Sequence, residues 1–297
     1  MPKAKANNIE LEYDTFGDPS AKPLLLVMGL GAQMLRWRED LCKMFVENGF
    51  YVIRFDNRDI GLSTKFEEAG IPDIMKESMA HMQGKPIFPP YTIEDMADDA
   101  VGLLDALNIE KAHVCGLSMG GLIVQVIALR HPYKVLSLIS IMSTTNNPNL
   151  PQAKPEALQA LLTPAPTERE VYIEDKLERW RILYGSGFPF PEEEYRELIA
   201  ILYDRSFYPQ GQLRQMFAVI ATENRVPKLN SIKVPTLVIH GGDDPLILVE
   251  CGKETAASIP GAELLIIEGM GHASCLPRET WPRIVDAIAK NADKSYI

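Results

Sequence analysis

Long apolar runs are absent from this 297-residue sequence. None approaches the roughly 18–20 residues that a membrane-crossing helix needs. The opening stretch, MPKAKANNIELEY, has two lysines but no apolar segment behind them, so it is not expected to act as a secretory signal. Cysteine is scarce: Cys42, Cys115, Cys251 and Cys275 form no C-x-x-C pair and no zinc-like spacing. That argues against a disulfide scaffold or a zinc site and leads us to expect a reduced, cytoplasmic protein. Positive charge is in deficit, with 30 Lys and Arg against 40 Asp and Glu, a net charge of −10. Such a surface repels nucleic-acid backbones and anionic membranes, so neither is an expected partner. Internal repeats and low-complexity linkers are missing as well.

What is present has an ordinary globular balance, 46% hydrophobic and 24% charged residues. Short apolar runs alternate with helix-like stretches. LLLVM at Leu24–Met28, YVIRF at Tyr51–Phe55, AHVCGL at Ala112–Leu117 and VLSLISIM at Val135–Met142 are four such runs. TLVIH at Thr236–His240 and AELLII at Ala262–Ile267 complete the set. Val, Ile and Leu fill these runs with little alternation, as in strands buried on both faces. The expected fold class is therefore α/β, a mostly parallel sheet with helices on both faces. Ile9–Phe16 (IELEYDTF) alternates more and suits an antiparallel edge hairpin before the parallel part. A helix is expected around Trp37–Glu47. Another begins at Thr92, which can cap it with Asp95 as capping-box partner. Ile93, Met96, Ala100, Leu103 and Leu107 give that helix one buried face. The acidic cluster Glu94, Asp98 and Asp99 reads as helix-end electrostatics rather than a metal site.

Two stretches break the alternation. Lys65–Pro90, with Met75, Met79, Met82 and several prolines, reads as a long surface excursion. The segment 143–227 separates two strands but reads helical, in four pieces divided by proline-rich joints. We expect it to be a helical cap inserted into a core made of 1–142 and 228–297.

The chemistry centres on Gly116-Leu117-Ser118-Met119-Gly120, a G-x-S-x-G pentapeptide after a buried strand and before a helix. Ser118 at such a turn takes a strained backbone conformation, and small residues two before and two after let strand and helix approach. The helix that follows, LIVQVIALR, is apolar on nearly all faces, so it lies inside the fold. Its N-terminus directs partial positive charge at Ser118. A serine hydroxyl needs a base. Of five histidines, His272 in Gly269-Met270-Gly271-His272 follows the last expected strand, at the sheet edge where such folds build their sites. His240 is the reserve. The orienting acid is expected to be Asp244, after the strand ending at His240, with Pro245 fixing the turn; Asp243 is its competitor. Two backbone N–H donors are expected to stabilise an oxyanion, those of Met119 and of Leu30 in the turn Met28-Gly29-Leu30-Gly31.

The blocks VMGLG, FDNRDIGLS, GLSMGG, GGDDP and GMGHA resemble the α/β-hydrolase superfamily over nearly the whole chain. VMG at the oxyanion turn and RWRILYGSGFPF in the expected cap resemble aclacinomycin methylesterase-like enzymes. Many superfamily members carry His-Gly where this chain has Met28-Gly29. The order Ser, Asp, His agrees with the superfamily. Ser118 replaces the Asp nucleophile of dehalogenases and epoxide hydrolases, which argues against both chemistries.

The expected activity is that of a carboxylesterase or methylesterase that hydrolyses apolar small-molecule esters through an acyl-enzyme, with no metal or organic cofactor. The same triad could run perhydrolysis or cleave lactones and C–C bonds, and a non-catalytic ligand receptor is the alternative outside enzymes. Met28, Trp180 and Tyr184 are candidate substrate contacts. Oligomeric state is not legible.

Overall fold

The described residues of the computed structural model are 1–272 and 275–296, the Tyr296 side chain aside; Ala273, which ends the GMGHA block, lies outside them. A hairpin of β1 (Lys3–Ala6) and β2 (Ile9–Phe16) precedes β3 (Lys22–Val27), α1 (Glu39–Glu47) and β4 (Phe50–Phe55). Next come α2 (Ile74–Met82), α3 (Ile93–Ala106), β5 (Ala112–Leu117), α4 (Met119–Arg130) and β6 (Val135–Ile141). Helices α5 (Pro155–Leu162), α6 (Arg169–Tyr184), α7 (Glu192–Arg205), α8 (Pro209–Ile220) and α9 (Val226–Leu229) then intervene. The chain ends with β7 (Thr236–Gly241), α10 (Val249–Ser258), β8 (Glu263–Ile267) and α11 (Trp281–Asp293).

Among the described residues the strands form one eight-stranded sheet in the order β1-β2-β4-β3-β5-β6-β7-β8. The β1–β2 and β2–β4 pairings are antiparallel and the rest are parallel. In β3, Leu25 and Val27 face the core shared with α3 and α4, while Leu24 and Leu26 face the core shared with α1 and α11. Both faces are dry, so neither demands polar residues, and the run shows no alternation.

Three expectations need correction. The last strand is not buried on both faces: β8 lies at the sheet edge, with Glu263 and Leu264 exposed. The hairpin gains its outer strand from KAKA, whose lysines point outward and leave no apolar signal. Glu94 lies in the first turn of α3 as expected, but Asp98 and Asp99 have specific partners rather than a helix-end role. Asp99 is buried and takes two hydrogen bonds from Arg58, at 2.6 and 2.7 Å. Asp98 accepts from Arg130 and contacts His131. Removing one partner of a buried pair such as Arg58–Asp99 costs about 3–5 kcal/mol, because the other charge is left uncompensated. The Thr92–Asp95 capping box is present.

α6 and α7 share an apolar core of their own, with the Trp180 and Tyr195 rings edge-on at 5.2 Å. All four cysteines are free and buried. No helix among the described residues is long and apolar enough to cross a membrane.

Candidate active site

Ser118 sits between β5 and α4 with φ 57° and ψ −118°, in the left-handed region that ordinary residues avoid. The strain is held by contacts on both sides. Ser118 N–H donates to Ile141 O at 2.8 Å, and its carbonyl accepts from Gly121 N–H at 2.8 Å. A Cβ on Gly116 would lie 2.0 Å from Gly120 O, and one on Gly120 would lie 2.2 Å from Val27 O. Those contacts are with backbone, which cannot rotate away, so the turn requires glycine at both positions. α4 is buried along most of its length, which fixes its N-terminus beneath the serine.

The chain brings three distant groups into line. His272 Nε2 lies 3.0 Å from Ser118 Oγ, and His272 Nδ1 lies 2.7 Å from Asp244 Oδ2. The other carboxylate oxygen, Asp244 Oδ1, accepts from the Leu246 and Ile247 N–H groups at 2.9 and 2.8 Å. The carboxylate therefore has fixed donors on one oxygen and a free face for the imidazole on the other. With Nδ1–H given to Asp244, His272 keeps a bare Nε2 that can accept the serine proton. Asp243 points elsewhere and accepts from Ser186 Oγ at 2.7 Å. His240 does not reach the serine. It lies behind Asp244, with Nε2 2.7 Å from Ile247 O and 3.6 Å from Asp244 Oδ2, and burial holds its imidazole below the usual range.

Leu30 and Met119 flank Ser118 from two segments. Met119 opens α4, so its N–H has no intrahelical acceptor. The turn carrying Leu30 presses on the serine: a Cβ on Gly29 would lie 3.1 Å from Ser118 Cβ. Two side chains that sequence reasoning missed shape this turn. Asn57 Nδ2 donates to Met28 O at 2.9 Å, and Gln215 Oε1 accepts from Gly31 N–H at 2.9 Å. Gln215 Nε2 in turn donates to Arg58 O at 2.8 Å. The available signal was the run Asp56-Asn57-Arg58-Asp59, four polar residues that directly follow a buried strand and are all themselves buried.

The histidine loop is seated by the α6–α7 connection. Gly187 N–H donates to Gly269 O and Gly271 N–H to Tyr184 O, both at 2.9 Å. A Cβ on Gly271 would lie 2.2 Å from Leu183 O. Gly271→Ala must therefore push the two backbones apart. We expect a loss of about 1–3 kcal/mol in stability from overpacking. Because the residue adjoins His272, kcat should fall roughly 10- to 100-fold with little change in KM. Kinetics set beside thermal unfolding check this; a variant that loses stability alone would show that the seam does not position the histidine.

Ser118, Met119, Leu30 and His272 line a cavity of about 1370 Å³. Trp180 reaches it from α6 while packing on Tyr195. Met28 lines its floor but is 1% exposed, with its side chain in the core beneath the sheet. Tyr184 does not line it. Its ring packs edge-on to Phe190 and Tyr195, so its link to the site is through its carbonyl. Burial pushes the Cys251 thiol, also in the wall, up to about 11, so it stays protonated and does not compete as a nucleophile. Among the described residues no group of three or more His, Cys, Asp or Glu side chains is placed to hold a metal ion.

The chain is 29% identical to the rhodomycin D methylesterase DnrP of Streptomyces peucetius, over 92% of this chain and 93% of that one. It is 27% identical to a putative carbamate hydrolase, RutD, of Variovorax paradoxus, over 89% of each chain. The enol-lactonase structure from Burkholderia xenovorans superposes with a TM-score of 0.70 at 23% identity, covering 99% of each chain. The family model described as the alpha/beta hydrolase fold matches residues 22–279, most of the sequence. With its elbow serine, its sheet order and this match, the chain belongs to the α/β-hydrolase fold family.

Proposed function

We propose that the protein is a serine ester hydrolase in which Ser118 attacks the ester carbonyl, His272 is the base and Asp244 orients it. The observation that carries this reading is the unbroken line Asp244–His272–Ser118, which ends on a strained serine facing a large cavity. His272 Nε2 takes the Ser118 proton as Oγ bonds to the carbonyl carbon, and Asp244 stabilises the resulting imidazolium. The Leu30 and Met119 N–H groups hold the oxyanion. Collapse of the tetrahedral adduct breaks the ester C–O bond, and His272 returns its proton to the departing alcohol. Water then attacks the acyl-enzyme, giving its proton to His272, and Ser118 leaves as the hydroxyl. The free, buried thiols suit a reducing compartment, and we place the reaction in the cytoplasm.

In the same reading, residues 143–227 act as a cap over the core formed by 1–142 and 228–297, and choose the substrate. Trp180 supports this, since it belongs to the cap's own core and also reaches the cavity. The methylesterase named among the relatives favours an ester with a small alcohol side. Turnover of p-nitrophenyl esters of increasing acyl length tests the reading. We expect hydrolysis with a clear length preference. A protein that opens none of these esters, yet acts on peroxide or on a vinylogous diketone, would belong to one of the other chemistries open to this triad.

A further inference from the structure

We propose that Arg36 and Lys176 form an anion subsite in the wall of the Ser118 cavity, so that the preferred ester carries a carboxylate at its far end. Both residues line the cavity. Arg36 ends the tight turn Met34–Arg36, a few residues beyond the oxyanion turn, and Lys176 stands on α6 one turn before Trp180. The Arg36 guanidinium carbon lies 4.9 Å from the centre of the Trp180 ring, a cation–π contact that gives its charge no anion. Its Nε is buried with no hydrogen-bond partner. Lys176 likewise has no hydrogen bond or carboxylate partner among the described residues.

The neighbouring charges do not cancel these two. Asp175 is already held by Arg179, with Nε 2.8 Å from Oδ2 and NH2 2.9 Å from Oδ1. Arg179 also donates to the Ala160 and Pro164 carbonyls, both at 3.1 Å. Arg179 meets the Asp175 charge, although Asp175 Oδ2 has no hydrogen-bond partner, and Arg36 and Lys176 are left with no carboxylate of their own among the described residues of a largely apolar chamber. Burial, with Arg36 and Arg179 adding to it, pulls the Lys176 ammonium down to about 7 against the opposing pull of Asp175. Leaving such charges unpaired in the resting state is costly, and a carboxylate from the substrate supplies the missing partner. A single negative charge fits: Arg36 is a full cation and Lys176 a partial one, so a doubly charged phosphate would be left under-neutralised. The largely apolar lining of the cavity calls for a hydrocarbon spacer.

The proposal rests on the ester-hydrolase reading for what happens at the Ser118 end, so the test separates the two. p-Nitrophenyl half-esters of straight dicarboxylic acids, from adipate to sebacate, are compared with uncharged p-nitrophenyl alkanoates of equal length. We expect the ratio of kcat/KM, half-ester over neutral ester, to peak at one chain length at tenfold or more. It should fall at least tenfold in Arg36→Met and in Lys176→Met, mainly through KM. Taking the ratio cancels loss of folded enzyme and the titration of the triad. In wild type the ratio should also decline as pH rises through about 7, where Lys176 loses its charge while Arg36 keeps its own. Titration of Ser118→Ala with the monomethyl ester of the best acid, followed by calorimetry, reads anion binding without chemistry. Binding there that is weakened by Lys176→Met supports the subsite even if no ester is turned over. A ratio near one at every length, or one that neither substitution changes, overturns it.

Discussion

Replacing Ser118 by alanine lowers ester turnover by roughly 10⁴- to 10⁶-fold, the scale seen when a nucleophile is removed from such a triad. The fold should survive the change. Among the described residues the Ser118 hydroxyl hydrogen-bonds only with His272 Nε2, and the backbone bonds to Ile141 and from Gly121 do not involve the side chain. Alanine at a positive φ carries the same backbone strain as serine, so the thermal midpoint should move by no more than a few degrees. A fluorophosphonate probe should label the wild-type protein at Ser118 and leave the variant unlabelled. Labelling at another residue, with the alanine variant still active, would remove Ser118 from the reaction.

Asp244→Asn should cost about 10⁴-fold in kcat, because an amide cannot dictate the same imidazole tautomer or stabilise its cation. In the native site Asp244 Oδ1 accepts from two backbone N–H groups, and Oδ2 faces His272 Nδ1 at 2.7 Å. An asparagine that keeps its oxygen on the backbone donors presents its NH₂ to His272. The imidazole must then turn its bare nitrogen toward the amide and its N–H toward the serine, which is the wrong way round for proton abstraction. Asp243→Asn is the matching control. Among the described residues its carboxylate bonds only to the Ser186 hydroxyl, at an exposed position, so kcat should stay within about threefold. If the two substitutions reduced kcat alike, the acid would have been assigned to the wrong neighbour.

These two aspartates mark how far the sequence could be read. Strand, glycine, serine, glycine and apolar helix are local features, so the elbow around Ser118 was legible from its own residues. His272 was legible because its loop follows the last apolar run. The choice between Asp243 and Asp244 was weighed from turn chemistry, but what separates them is direction, and that depends on which side the Leu246 and Ile247 amides occupy. Non-local pairs were invisible. Asp99 has the composition of a helix start, and only the return of the chain after β4 places Arg58 against it. Gln215 lies in a helix read as cap interior, and nothing near it marks its hold on Gly31 N–H. Tyr184 shares a helix face with Trp180 but ends up inside the α6–α7 packing, because side-chain direction at a helix end depends on the partner helix. Edge strands were misjudged at both ends of the sheet, where β1 has only two alanines as apolar residues and β8 has more than its exposure requires.

The main-chain bonds between the α6–α7 connection and the histidine loop carry a consequence for protein engineering. Gly187 and Gly271 bind through backbone atoms that every residue possesses, yet the seam closes only where side chains are absent on both sides. The helical segment is therefore not an interchangeable cassette. A chimera that takes its helices from one relative and its histidine loop from another inherits two halves of a joint cut to different patterns. It should fold, bind ligand and turn over slowly, because its base stands at the wrong angle. Recombination that moves the segment together with residues 269–271 keeps both halves matched, and the natural breakpoints for new specificities lie outside that joint.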